Sequence, residues 1–189
     1  MDEIDRKIIS QLQLDGRTTL KNLSEIVGYT SMGVKKRVNK LLERGNISIS
    51  ALINAESLDL SAALVLLEVD SSESVNTLLK RFRKCPRVVN IFTTLGGYNV
   101  AAIIVAENQS TLNSISIEKC SLRSNKGIRR SEIYPISGVH YSPFMAIRQY
   151  LAKRENVESP CNVNCVSCQR YEENKCVGCP ATEFYRGSI

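Results

Sequence analysis

The chain has one histidine, His140, among 189 residues, and no run of 18 apolar residues. The second absence excludes a membrane-spanning helix. The first nearly removes the side chain most often used as a base or metal ligand near neutral pH. Set beside Tyr141 in GVHYSPF, this lone histidine reads as a packed or surface residue. Also missing are a phosphate-cradling glycine loop, a paired-carboxylate motif and a Ser/His/Asp arrangement, so no catalytic constellation is on offer. The N-terminus MDEIDRKIIS lacks the basic start and unbroken apolar stretch of a signal peptide. Together these absences lead to the expectation of a cytoplasmic, non-enzymatic chain in a compartment that keeps thiols reduced.

What is present begins with charge. The net charge of +6 is modest, but from Gly16 to Ile53 seven Lys/Arg stand against two acids, Glu25 and Glu43. A basic patch of that kind suits a polyanionic partner. Ile4, Ile8, Ile9 and Leu12 form one helical stripe, ended at Asp15-Gly16. A second helix is expected over about Thr19–Val27, burying Leu20, Leu23, Ile26 and Val27, with Gly28-Tyr29 as a tight turn. Thr30 or Ser31 caps a third helix, SMGVKKRVNKLLER, whose Val34, Val38, Leu41 and Leu42 face inward. Its outer face carries Ser31, Met32, Lys35, Lys36, Asn39 and Lys40. Two short helices joined by a glycine turn, the second basic and capped, describe a helix-turn-helix for double-stranded DNA. The candidate DNA-binding set is Thr30, Ser31, Met32, Lys35, Lys36, Arg37, Asn39 and Lys40, with Arg37 also suited to tying the helix to its neighbours.

After Ala55 the pattern changes. SAALVLLEVD reads as a strand, Ser71–Lys84 as a helix, RVVNIFTTL and YNVAAIIVA as strands around Gly96-Gly97, Asn108–Ser121 as a weaker helix, and Lys126–Ser137 as a last strand. The order β-α-β-β-α-β is ferredoxin-like, and the fold class is α+β. Helices cover one face of such a sheet, and the apolar content of its strands calls for a second copy on the other.

With IDRKII, L-x-x-L-S-E-I-V-G and V-K-K-R-V-N-K-L-L-E-R-G-N-I followed by this domain, the chain resembles the Lrp/AsnC transcriptional regulators over about Met1–Ser142. The resemblance implies a winged-type helix-turn-helix, a dimer or higher homo-oligomer made by back-to-back sheets, and a small effector, usually an amino acid. The effector-side turn would be Gly96, Gly97, Tyr98 and Asn99, where Asn99 replaces the family's usual aspartate. Some proteins of the same fold are sirohaem decarboxylases; the lysines kept on the third helix and the single histidine favour the regulator.

Beyond Ser142, PFMAIRQYLAKRE has helical character and Asn156–Pro160 reads as a linker. Then Cys161, Cys165, Cys168, Cys176 and Cys179 follow as C-x3-C-x2-C-x7-C-x2-C-P. In a reducing compartment clustered cysteines bind metal more often than they pair. Cys165, Cys168, Cys176 and Cys179 suffice for zinc once residues 169–175 fold back as a hairpin. Cys161, Cys165 and Cys168 with the later Cys-Pro equally suit a [4Fe–4S] cluster, and disulfide or thiol redox chemistry is the third alternative. Cys85 and Cys120 sit alone and read as small buried hydrophobes. The expected organisation is 1–54 helix-turn-helix, 55–142 ferredoxin-like domain, 143–160 helix and linker, and 161–189 a separate metal module, removable after Glu155 without loss of fold.

Overall fold

Three side-chain-capped helices open the chain in the computed structural model, which describes residues 1–188; Ile189, the end of the expected metal module, lies outside the described residues. Helix α1 (Glu3–Leu14) starts in a capping box in which the Asp2 and Asp5 side chains accept each other's backbone N–H. Thr19 caps α2 (Leu20–Val27), and Thr30 caps α3 (Ser31–Glu43) by accepting from the Gly33 N–H at 3.1 Å. Between α2 and α3, Gly28 holds φ +70°, a left-handed conformation that side chains resist. The three inward faces meet at Ile8, Leu23, Val27, Val34 and Val38. Two expected core residues are not in that core: Ile26 is 51% and Leu42 39% exposed. Each lies one residue, about 100° of helix rotation, from a buried neighbour, Val27 and Leu41.

The chain divides into two compact units, Met1–Ala51 and Leu52 onward. In the second, β2 (Ser61–Val69), α4 (Ser72–Phe82), β3 (Val88–Thr93), β4 (Val100–Ala106), α5 (Gln109–Ile117) and β5 (Ile128–Pro135) build an antiparallel sheet in the order β3-β4-β2-β5. That is the expected βαββαβ arrangement. On β2, Ala63, Val65, Leu67 and Val69 point to the helix side and join Leu78, Phe82, Leu112 and Ile115 in the main core. Fully burying one such side chain contributes about 1.5–3 kcal/mol. On the weaker helix α5, Ile117 falls outside the core at 61% exposure.

The other face is covered at one end by its own chain. The strand expected from ISISALI is confined to β1 (Ile53–Asn54), which pairs antiparallel with β6 (Phe144–Met145). The helix expected over Pro143–Glu155 does not form; β6 and a 3₁₀ turn at Gln149–Leu151 stand in its place. Long-range bonds account for the difference. The Arg148 guanidinium donates to the carbonyls of Val88 (2.6 Å), Cys85 (2.6 Å) and Arg83 (2.8 Å), and Ile147 is buried with Ala62 and Val105. These contacts outweigh a weak local helical preference.

The cysteine segment is not a detached module. It belongs to the same compact unit as the sheet, and Cys161 is part of the main core. Between Cys168 and Cys176 the chain forms a helical turn, α6 (Gln169–Glu172), in place of the expected hairpin, and then reverses through Asn174 at φ +55°.

Candidate DNA interface and thiol cavity

Helix α3 separates its two faces cleanly. Val34, Val38 and Leu41 are buried, whereas Thr30, Ser31, Met32, Lys35, Lys36, Asn39 and Lys40 are exposed. Three exposed lysines on one helix face give a positive surface with side chains long enough to follow phosphates. Arg37, half-buried beside that face, is engaged within the helical unit. Its Nη1 donates to Asp2 (2.7 Å) and Asp5 (2.8 Å), and its guanidinium lies 5.4 Å from the Tyr29 ring centroid. Arg37 therefore fixes α3 against the capping box of α1, the tying role open to it from sequence. The Asp2 carboxyl is held below its ordinary range, first by the Asp5 backbone N–H and then by Arg37.

In the second unit the β3–β4 hairpin carries the four residues of the expected effector turn. Gly96 and Gly97 are exposed, and Tyr98 and Asn99 half-buried. The Asn99 amide is stitched to the β2 backbone. Its oxygen accepts from the Val69 N–H and its nitrogen donates to the Val69 carbonyl, both at 2.8 Å. A carboxylate could make only the first of these bonds. The Tyr98 hydroxyl bonds Glu132, which also takes bonds from Tyr134 and Arg130.

The cysteine segment packs where α4, α5 and the loops after them leave a cavity of about 60 Å³. Cys85, Cys120, Cys161, Cys165, Cys176 and Cys179 all line it, beside Val65, Phe82 and Ile104. Cys168 lines an adjoining cleft of about 350 Å³ together with Cys120, Cys165 and Cys176. All seven thiols are free. The structure thus brings the five expected ligands to neighbouring walls and adds two that sequence reasoning set aside. Cys85 follows the end of α4, and Cys120 the end of α5, by three residues each. The excess of thiols was the only signal that could have recruited them. Among the described residues, no three Cys, His, Asp or Glu side chains gather at a single point as ligands of one metal ion.

Burial pushes the Cys165 thiol up to about 11 and that of Cys179 to about 12; it also raises Cys85, Cys120 and Cys176. The donors are arranged to oppose that effect. Backbone N–H groups of Cys179, Gly178 and Ala181 are directed at the sulfurs of Cys165, Cys176 and Cys179, and bonds of this kind favour thiolate. Gly178 is required there. It holds φ +86°, and a Cβ would come within 3.0 Å of the Tyr171 ring.

The segment is anchored by a buried ion pair. Arg87 and Glu107, whose side chains are 6% and 5% exposed, bond each other. Arg87 also donates to the Gly178 carbonyl, and the Tyr185 hydroxyl donates to Glu107. Arg170 donates to Ser114 (2.6 Å), and Ser110 and Ser114 donate to the Lys175 carbonyl (2.9 Å each).

Comparison with known proteins decides the family. A winged helix-turn-helix DNA-binding family model matches residues 1–52, and the Lrp/AsnC ligand-binding domain matches 62–141. The chain is 32% identical over 115 residues to the HTH-type transcriptional regulator FL11 of Pyrococcus horikoshii, covering 60% of this chain and 76% of that protein. It is 34% identical over 129 residues to the leucine-responsive regulatory protein of Rhizobium meliloti, covering 66% and 83%. The chain belongs to the Lrp/AsnC family. It is a DNA-binding transcriptional regulator, and these relatives give the decarboxylase reading no support. The solved structure of Escherichia coli AsnC shares the fold at a TM-score of 0.64 and 19% identity, covering 74% of this chain and 94% of its own. A Neisseria meningitidis regulator, NMB0573, solved as a complex with L-Met, does so at 0.65 and 22%, covering 73% and 90%.

Within this Lrp/AsnC protein the exposed face of α3 lies inside the first family match, and the cysteine segment lies beyond the end of the second. Among the described residues no helix is long and apolar enough to cross a membrane.

Proposed function

We propose that this Lrp/AsnC protein acts as a homodimer or larger homo-oligomer that lays α3 in the major groove of double-stranded DNA, and that a metal or redox centre in its cysteine segment modulates the binding. The observation that carries the DNA reading is the division of α3 into a buried apolar face and an exposed face bearing Lys35, Lys36 and Lys40. A dimer of this kind prefers half-sites roughly one helical turn, about 34 Å, apart. Assembly is supported by the sheet's outer face. Leu64 stands opposite Ile103 and Tyr134, and Leu66 opposite Ala101, all only half-buried or exposed. Replacing Leu66 by Asp leaves a monomer in sedimentation if this face is the subunit interface; an unchanged dimer refutes it.

The effector reading, an amino acid or other small molecule near Gly96–Asn99, draws on the family and on the L-Met complex of the Neisseria relative. The metal reading draws on the clustered thiols, six of which line one cavity. Zinc and a [4Fe–4S] cluster are the two candidates. A gel shift with genomic DNA fragments, run on metal-loaded and metal-stripped protein, tests the whole proposal. Binding that is sequence-selective and changes on stripping supports it. Selective binding that ignores the metal removes the modulation, and no selective binding removes the placement of α3.

A further inference from the structure

The six cysteines of the inner cavity surround a volume. A single zinc ion would need four sulfurs about 2.3 Å from one centre, hence about 3.8 Å from each other. An iron–sulfur cluster sets the opposite requirement. Its inorganic sulfides occupy the middle and the thiolates attach at the outer corners, so the ligands must be spread around a space. The cavity of about 60 Å³ enclosed by Cys85, Cys120, Cys161, Cys165, Cys176 and Cys179 has that character.

Its walls fit the same guest. Val65, Phe82, Ile104 and Ile115 form the apolar part of the lining, and Arg87, paired with Glu107, stands in the wall and donates to the Gly178 carbonyl. Among the six, Cys120, Cys165 and Cys176 also line the adjoining cleft, and Cys161 is buried where the other cysteines of the segment are half-buried.

We propose that this cavity is a [4Fe–4S] site held by Cys120, Cys161, Cys165 and Cys176, with the core domain supplying one thiolate and the C-terminal segment three. The proposal rests on the reading that the cysteine segment binds metal, and adds the metal class and a ligand outside the segment. Loading takes two ferrous ions, two ferric ions and four sulfides from solution, so no electron has to be removed, and the four thiols release their protons on ligation. A cluster so held joins the loop after α5 to the segment that covers it.

The test uses the full chain, purified without oxygen, incubated with equal amounts of ferrous and ferric iron and with sulfide, and then desalted. Iron, acid-labile sulfide, zinc and visible absorption are measured. The expected result is about four iron and four sulfide per chain with broad visible absorption. Cys120→Ser should lose most of both, whereas Cys85→Ser keeps them. Cys120→Ala, which carries no hydroxyl into the apolar wall, should lose the cluster too and covers a Ser variant that folds poorly. Zinc bound without sulfide overturns the cluster but leaves the metal reading standing, and no bound metal overturns both. A cluster that survives both Cys120 variants overturns the core ligand.

Discussion

Helix α3 takes its functional face from one stretch of sequence, Ser31 to Lys40, whereas the thiol cavity collects Cys85, Cys120 and four residues of the C-terminal segment. The first is exposed, charged and set by helical periodicity; the second is enclosed and set by the packing of the sheet domain. A local site of the first kind tolerates change in its surroundings so long as the helix forms. The second depends on every contact that seats Cys161 to Tyr185 on α4 and α5. The difference teaches where each region is vulnerable. Charge removal should weaken the α3 face by degrees, whereas loss of one buried anchor should open the cavity.

The largest effect is therefore expected at the anchor. Replacing Glu107 by Ala leaves the Arg87 charge buried without its carboxylate and removes the acceptor of Tyr185. Breaking a buried pair from one side costs about 3–5 kcal/mol. Urea unfolding should show that loss for the sheet domain, and limited proteolysis should cut first within the cysteine segment. The Met1–Ala51 unit has its own core and should melt as before. Truncation after Glu155 should destabilise the sheet domain at least as much, since it uncovers the same pair and removes Cys161 from the core. A truncated chain as stable as the parent would restore the detached module expected from sequence.

How much of each region was legible follows from the same contrast. The cap at Thr30, the glycine turn at Gly28 and the β-α-β-β-α-β order are local signals, and all are found where they were expected. Errors within helices were steps around the helix axis, as at Ile26 and Leu42. The misread segment after Ser142 has a different origin. Its conformation is set by Arg148 reaching carbonyls more than fifty residues earlier in the chain, and no periodicity encodes that. Cys85 and Cys120 were set aside for the same reason. Each is locally an unremarkable residue after a helix, and only the fold carries it to the other thiols.

A smaller, graded effect is expected on the α3 face. Lys36→Ala should weaken DNA binding about equally across sequences and reduce the slope of log affinity against log salt by about 0.9, one phosphate's share. Lys153→Ala, an exposed lysine outside that face, should change neither. Equal losses in the two variants would make the binding a matter of net charge alone, and the contrast between a built face and a general positive surface would fail.

The smallest effect tests what holds α3 in place. The folded-state pKa of Asp2 is depressed below 3.8 by the Asp5 N–H and by Arg37, so its contribution is present above the unfolded value and is lost as pH falls through the folded one. Arg37 keeps its charge throughout, since Asp2 and Asp5 hold its pKa above the ordinary value. The tie between α1 and α3 should thus be indifferent to pH between neutrality and the carboxylate range. Melts of the parent and of Asp2→Asn should differ by a small, constant amount above pH 3.8 and converge below it. The sheet domain serves as internal reference, because its anchor involves neither Asp2 nor Arg37. A difference that instead grew on the alkaline side would mean that the carboxylate of Asp2 is not what steadies the helix, and the positioning role of Arg37 would then rest on Asp5 and Tyr29.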